Sequence, residues 1–269
     1  MNIDIQASLR YLIPGAEKPV YTASTGGEHA QLNISAKFED REVTIRDARG
    51  LAAEPTLDVE GFSLVRQETQ VADFYQFDFW RDSYEAELID TLLQHTAATR
   101  VLIFDHTLRS SSPTMRGQHS LREPASVVHN DYTDYSAVKR LRELVSSAQS
   151  IDGQQDRFAI VNLWRTINYP IGTSPLTCCD ASTILTSDLV ASERRSEDRV
   201  GELQLVSWNP NHRWYWFPKM HKDEVLLFKT FDSCVGVARR SIHSAFENPS
   251  APDDAPPRES IESRALLFF

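Results

Sequence analysis

The sequence predicts a mainly β fold with flanking helices (α+β), built on a double-stranded β-helix, the jelly-roll or cupin-like core. After residue 200 the chain holds many short apolar runs that Pro, Asn, Asp or Gly separate, and few helical patterns. Its 269 residues, 41% of them hydrophobic, suffice to bury a substantial core. We therefore expect one domain over residues 1–269, with residues 1–40 as a wrapping N-terminal segment.

Residues 41–170 show alternating strands and helices. Tyr84, Leu88 and Leu92 form an apolar stripe at helical spacing, which Asp82 or Ser83 can cap. The polar stretch 110–126 is expected to be a surface loop that lines or covers the site and orders when substrate binds. The patterns predict strands at 43–46, 61–65, 101–105 and 158–168, and helices at 82–96 and 136–147.

The last 80 residues are dominated by predicted strands. The charged stretch 191–202 before them is expected to be a solvated loop, and 249–257, rich in Pro and Asp, a loop within the domain. The predicted strands are 203–208, 213–217, 225–231, 235–241 and 261–268.

Composition restricts the classes of function. A net charge of −10, from 38 acidic and 28 basic residues, disfavours a nucleic-acid partner, which would need a basic excess. No apolar run approaches the roughly 20 residues that span a membrane, and no signal segment starts the chain, so we expect a cytoplasmic protein without a membrane partner. The three cysteines form neither a disulfide framework nor a zinc pattern. The oligomeric state is not indicated.

Three residues form a candidate catalytic metal site. On a strand, residues i and i+2 point to the same face, so His129 and Asp131 can direct an imidazole and a carboxylate to one point. His243 follows a separate predicted strand and can add a second imidazole. Two histidines and one carboxylate on one face suit Fe(II) and leave positions for a cosubstrate and O2. The pattern indicates an oxygenase.

A 2-oxoglutarate cosubstrate would need a buried cation for its distal carboxylate. Arginine suits this task, because its planar guanidinium binds a carboxylate through two hydrogen bonds and stays charged. Arg258 and Ser260 share a strand face and follow His243 by a short interval; Arg264 has the same parity and is the alternative. Arg165, within the strand at 158–168, is expected either to point into the barrel as a cosubstrate or substrate clamp or to form a salt bridge in the core.

The order of motifs along the chain resembles that of the fungal hydroxylase/desaturase family, which is related to cephem-methoxylase-like and gibberellin-desaturase-like proteins. The resemblance extends from about residue 40 to the end. The motifs are DAR at 47–49, FDH at 104–106, HNDYT at 129–133, WRTIN at 164–168, PLTCCD at 175–180, HRWY at 212–215, DEVLLFK at 223–229, HSAF at 243–246 and RESIE at 258–262.

This resemblance implies a non-haem Fe(II)- and 2-oxoglutarate-dependent dioxygenase on a jelly roll, an oxidoreductase associated with secondary metabolite biosynthesis. It implies that His129, Asp131 and His243 are the iron ligands, while both Arg258 and Arg264 fit the cosubstrate arginine. The substrate is expected to be a small molecule, oxidised at a C–H bond by hydroxylation or desaturation. The alternatives are a 2-oxoglutarate-independent iron oxidase and a non-catalytic jelly-roll binding module.

Overall fold

The computed structural model describes residues 4–147, 157–197 and 199–269. Its strands form two sheets that face each other, with three α-helices at the periphery. The helices are α1 (Phe77–His95), α2 (Pro113–His119) and α3 (Asp134–Ser147). The strands are β1 (Ile5–Ile13), β2 (Val20–Thr22), β3 (Asn33–Ile34), β4 (Lys37–Asp47), β5 (Phe62–Arg66), β6 (Arg100–Ser110), β7 (His129–Asn130), β8 (Phe158–Thr166), β9 (Leu176–Cys179), β10 (Leu189–Arg195), β11 (Val200–Val206), β12 (Trp214–Trp216), β13 (Glu224–Asp232), β14 (His243–Ala245) and β15 (Glu259–Phe268).

The strand order confirms the predicted jelly-roll class. The larger sheet runs β1-β4-β12-β9-β14-β7-β11-β10-β2-β3, and the smaller sheet runs β5-β13-β8-β15-β6. Trp164 and Phe228 of the smaller sheet pack against Cys178 of the larger one, so an apolar layer joins the two inner faces. Within the described ranges, no helix is long and apolar enough to cross a membrane.

The outer face of the smaller sheet is covered by α1. Leu88 and Leu92 of the helix pack with Leu163 of β8 and Leu227 of β13 in one buried cluster. Because successive strand side chains point to opposite faces, the even-numbered residues around 163 on β8 face the interior of the barrel. This alternation determines which polar residues can reach the site.

Two predicted boundaries in the first half of the chain are wrong. Helix α1 starts at Phe77 rather than at residue 82, because Trp80 extends its buried face; the preceding Gln76 makes no side-chain cap. The segment 110–126 is not only a loop, since it contains α2. Ser112 caps this helix by accepting a hydrogen bond from the Met115 backbone N–H, and proline is tolerated in the first turn.

Two further predictions fail in the second half. The charged stretch 191–202 is not a solvated loop: most of it belongs to β10 and β11, which pair with each other along seven residues. Residues 235–241 do not form a strand; the chain there is irregular until β14. The predicted strands at 203–208, 213–217, 225–231 and 261–268 are confirmed in position by β11, β12, β13 and β15.

The N-terminal segment is part of the larger sheet. β1 pairs antiparallel with β4, from Ile5 opposite Ile45 to Ile13 opposite Lys37. β2 pairs in parallel with β10, which brings Tyr21 beside Arg194. The first 40 residues therefore extend both edges of the sheet that carries β7 and β14.

The packing of α1 predicts a position-dependent loss of stability. Leu88 is fully buried, whereas Leu93 of the same helix is 39% exposed. Leu88→Ala should lower the free energy of unfolding by about 2–5 kcal/mol, because the cavity it leaves is not refilled. The matched control Leu93→Ala should lower it by less than about 1 kcal/mol. Urea denaturation followed by circular dichroism measures both values, and equal losses would contradict the assigned burial of α1.

Candidate metal centre

His129, Asp131 and His243 come together at the centre of the larger sheet. β7 and β14 are antiparallel neighbours, and His243 lies directly opposite His129 in their register. The two imidazole rings are 4.3 Å apart between centroids. One potential ligand atom from each of the three residues lies within 4.8 Å of the other two. This spacing allows the three side chains to bind one metal ion together.

Backbone carbonyls orient both imidazoles. Nδ1 of His129 is 2.8 Å from the Val127 carbonyl oxygen, and Nδ1 of His243 is 3.2 Å from that of Ser241. In each ring Nδ1–H therefore donates to the backbone, which leaves the Nε2 lone pair free to bind a metal. The backbone carbonyl two positions earlier thus sets the tautomer of each histidine.

The Asp131 carboxylate is held on one side only. Its Oδ2 accepts hydrogen bonds from Nε of Arg264, at 2.9 Å, and from Nδ2 of Asn162, at 2.8 Å. Its Oδ1 is 3.6 Å from Nε2 of His129, on the side of the imidazoles. Burial by itself would raise the pKa of Asp131, but the Arg264 guanidinium, together with the hydrogen bond from Asn162, holds that pKa well below its usual range. The carboxylate is therefore charged and has one oxygen available as a ligand.

Arg264 connects this carboxylate to the other inner-face acids. Its Nη1 donates to Oδ2 of Asp105 at 2.7 Å, and its Nη2 donates to Glu262. The guanidinium is thus paired with three carboxylates. One positive charge among three negative charges leaves a deficit that a divalent cation between His129, Asp131 and His243 would reduce.

The surroundings of His243 favour a neutral imidazole. The ring is buried and lies 4.6 Å from the Phe228 ring. Burial, reinforced by the neighbouring His129, lowers the pKa of His243 to about 3. A neutral imidazole is the form that binds a metal. The donor set of two imidazoles and one charged carboxylate fits Fe(II) with open coordination positions.

Arg258 is a buried arginine without an acidic partner. Its Nε donates to Oγ of Ser260 at 2.9 Å, its Nη1 donates to the Ser174 carbonyl at 3.0 Å, and its guanidinium lies 5.0 Å from the Trp164 ring. Among the described residues no carboxylate lies within ion-pair distance, and Nη2 makes no hydrogen bond. Burial, with the charge of Arg109 nearby, lowers its pKa to about 9.

A second polar group beside Arg258 also lacks a partner. The indole Nε1–H of Trp164 is buried and makes no hydrogen bond. A buried cation and a buried donor that the chain leaves unsatisfied are costly unless a ligand binds them. The pair fits the distal carboxylate of 2-oxoglutarate, whereas Arg264 has its donors occupied by the chain's own acids.

Arg165 is not brought to the site. It lies on the outward face of β8, under α1, with its guanidinium 5.5 Å from the Tyr84 ring. It donates to the backbone carbonyls of Lys222 and Gln67. The prediction that it points into the barrel is wrong, because its parity on β8 is opposite to that of Asn162 and Trp164.

Two residues of the site were missed in the sequence. Asn162 is fully buried on β8, and its amide donates to both Asp131 and Glu262. Glu262 is buried on β15. The signal for Glu262 was its parity, since it shares one strand face with Arg258, Ser260 and Arg264. Asn162 was visible as the one amide within the apolar run of β8.

A cavity of about 410 Å³ opens at the metal centre and includes His129 and Asp131 in its wall. Strands β10 and β11 contribute Arg194, Leu203 and Leu205. The segment 110–126 contributes Arg122 and Ala125, and the N-terminal segment contributes Tyr21, Leu32 and Ile34. Residues 110–126 therefore line the cavity as predicted, and the N-terminal segment joins them there. Ordering of residues 110–126 on substrate binding stays a prediction.

Comparison with known proteins agrees with this geometry. Residues 9–268 match the family described as "Oxidoreductase/YMDC permease-like domain". The chain is 32% identical to the hydroxylase/desaturase efuI of Hormonema carpetanum, over 87% of this chain and 85% of that protein. It is 29% identical to the Fe(II)/2-oxoglutarate-dependent dioxygenase nvfI of Aspergillus novofumigatus, over 88% and 87% of the two chains.

The fold agrees as well. A solved structure of the iron and alpha-ketoglutarate-dependent endoperoxidase NvfI superposes with a TM-score of 0.82 at 25% identity, covering 98% of each chain. A second structure of the same enzyme, in a different conformation, gives a TM-score of 0.81. The chain therefore belongs to the fungal hydroxylase/desaturase family of Fe(II)- and 2-oxoglutarate-dependent dioxygenases, oxidoreductases that use Fe(II), 2-oxoglutarate and O2.

Proposed function

We propose that His129, Asp131 and His243 hold the iron of this dioxygenase. One observation carries the proposal: two Nε2 atoms and one carboxylate oxygen converge at the wall of a cavity, each oriented by a hydrogen bond on its far side. When bound there, Fe(II) supplies the activation of O2 that oxidises a C–H bond. Arg264 and Asn162 keep the carboxylate charged and correctly turned.

Arg258 and Ser260 are the proposed anchor for the distal carboxylate of 2-oxoglutarate. Arg258 has a free Nη2 edge, and Ser260 already accepts from its Nε, which holds the guanidinium plane in place. Trp164 lies beside the cation and offers an N–H donor. The two arginines thus have different roles: Arg264, on β15, orients a metal ligand, and Arg258, directly before β15, binds the cosubstrate.

The substrate is a small molecule, which the cavity size supports, and the proposed reaction is hydroxylation or desaturation. We also propose that residues 1–269 act as one domain, because the first 40 residues supply cavity wall as well as sheet.

The proposed activity predicts consumption of 2-oxoglutarate that a substrate stimulates. Purified protein reconstituted with Fe(II) should release CO2 from 2-oxoglutarate slowly alone and at least about tenfold faster with a true substrate from a panel of terpenoids, polyketides and amino acids. Succinate formation measures the rate. Turnover of substrate without succinate would contradict the 2-oxoglutarate dependence.

The metal assignment predicts which histidines matter. His129→Ala and His243→Ala should each weaken Fe(II) binding by more than the 10–100-fold typical of residues that only orient a ligand. Anaerobic Fe(II) titration measures the affinity, and circular dichroism checks the fold. The exposed His29 provides a matched control, since His29→Ala should bind iron as the unchanged protein does. Iron binding that survives both site substitutions would place the metal elsewhere.

The different roles of Arg258 and Arg264 predict that one substitution weakens 2-oxoglutarate binding and the other weakens iron binding. Arg258→Ala should raise the Kd of 2-oxoglutarate about 30-fold or more, since losing a buried charge-assisted pair costs about 2–5 kcal/mol, while iron stays bound. Arg264→Gln should lower the iron affinity about 10–100-fold, because Asp131 loses its orienting donor. The visible absorption band of the Fe(II)–2-oxoglutarate complex reports the first, and Fe(II) titration the second. If the two variants exchange phenotypes, the assignment of Arg258 is wrong.

A further inference from the structure

The cavity beside the metal centre is strongly basic in a protein whose net charge is −10. Six arginines contribute to its wall, against two carboxylates, Asp105 and Asp131, both of which pair with Arg264. The cavity therefore concentrates positive charge that the chain elsewhere does not show.

Most of these arginines have partners within the chain. Arg109 donates to the Glu123 carbonyl at 2.7 Å. Arg140 and Arg199 both lie beside the Glu143 carboxylate, at 3.3 and 3.6 Å. These three side chains, like Arg264, are explained by the structure without a ligand.

Arg122 and Arg194 are different. Within the described part of the chain, neither guanidinium makes a hydrogen bond or an ion pair, although both side chains are partly buried. Burial lowers the pKa of Arg194, and the positive charges of Arg264 and Arg122 lower it further. Burial also lowers the pKa of Arg122, together with the charge of Arg109. The Asp105 carboxylate near Arg122 and the Asp131 carboxylate near Arg194 offset only part of these shifts. Two partly desolvated cations that repel each other stay unfavourable unless an anion binds beside them.

The two arginines reach the cavity from separate elements. Arg122 follows α2 in a bridge to β6, and Arg194 lies on β10. The wall also holds six apolar side chains, Leu32, Ile34, Phe104, Val127, Leu203 and Leu205, together with the polar groups of Tyr21, Tyr132 and Ser196. Such a cavity combines an apolar compartment with one cationic clamp, as expected for a ligand with an apolar skeleton and a charged group.

We propose that Arg122 and Arg194 are specificity-determining residues that bind an oxyanion, a carboxylate or a phosphate ester, on an otherwise apolar substrate. This inference rests on the proposed function, because the cavity is taken to be the place where that substrate meets the iron. Guanidinium groups bind such oxyanions through paired, charge-assisted hydrogen bonds. Anchoring the anion at this end would direct the apolar skeleton toward His129 and Asp131, and so select the C–H bond that is oxidised.

A matched pair of fluorescent probes tests the charge preference without knowledge of the substrate. 8-Anilinonaphthalene-1-sulfonate carries an apolar skeleton and an oxyanion, and N-phenyl-1-naphthylamine is the same skeleton without the charge. Anaerobic protein loaded with Fe(II) and 2-oxoglutarate should bind the sulfonate about tenfold or more tightly than the amine. Arg122→Gln and Arg194→Gln should each reduce this preference, and the double variant should abolish it, with the affinity for the amine unchanged. Displacement of the sulfonate by dodecanoate or by dodecyl phosphate then identifies the preferred oxyanion.

Controls separate this inference from the proposed function. Arg66, a highly exposed arginine paired with Asp223 outside the cavity, supplies the matched variant Arg66→Gln, which should keep the preference intact. Equal or absent binding of the two probes, or a preference that survives in the double variant, overturns the proposal. If the double variant instead loses the Fe(II)–2-oxoglutarate band, the two arginines bind the cosubstrate and the proposal is also wrong. A band that never forms in the unchanged protein, with the probe preference intact, overturns the proposed function and leaves the oxyanion site standing.

Discussion

The ion pair between Arg264 of β15 and Asp131 after β7 spans the space between the two sheets and orients the carboxylate of the metal centre. Breaking a buried pair from one side typically costs about 3–5 kcal/mol, because the remaining charge stays desolvated. Glu262 and Asn162 complete the network. Glu262 accepts a hydrogen bond from the Arg264 guanidinium, and the Asn162 amide donates to both Glu262 and Oδ2 of Asp131, the carboxylate oxygen that faces away from the histidines. The relative position of the sheets and the direction of Asp131 are therefore coupled, and iron binding depends on both.

The same arrangement gives Arg258 and Arg264, two chemically identical side chains, different surroundings. Arg258, which directly precedes β15, and Arg264, within β15, lie six residues apart. Near Arg264 the chain places the carboxylates of Asp105, Asp131 and Glu262, whereas near Arg258 it places the Ser260 hydroxyl and the Ser174 carbonyl oxygen. Among the described residues, acidic side chains neutralise the charge of Arg264 but not that of Arg258. The sequence could not distinguish them, because parity is a local property, while Asp131 and the Ser174 carbonyl, which make the two surroundings different, lie more than 80 positions away.

The sequence predicted those site residues whose positions follow from the local geometry of a strand, and it failed for those whose positions depend on tertiary packing. The i, i+2 relation of His129 and Asp131 needs only strand geometry, and the pairing of β7 with β14 then supplies His243. Arg165 was misplaced because every residue of β8 is buried, so no alternation shows which face is inside. Arg194 was misread because an arginine that faces a cavity has the same sequence surroundings as one that faces water.

The contrast between an acidic protein and its basic cavity has a physical consequence for recognition. At physiological salt, charges more than about 8 Å apart are largely screened, so an approaching molecule senses local groups rather than the net charge of −10. Inside the cavity, screening is weaker because the surrounding protein displaces part of the solvent. The acidic exterior therefore does not exclude an anionic substrate, and it adds no long-range attraction. Selection then takes place at short range, where the geometry of Arg122 and Arg194 relative to His129 and Asp131 decides which bond lies near the metal.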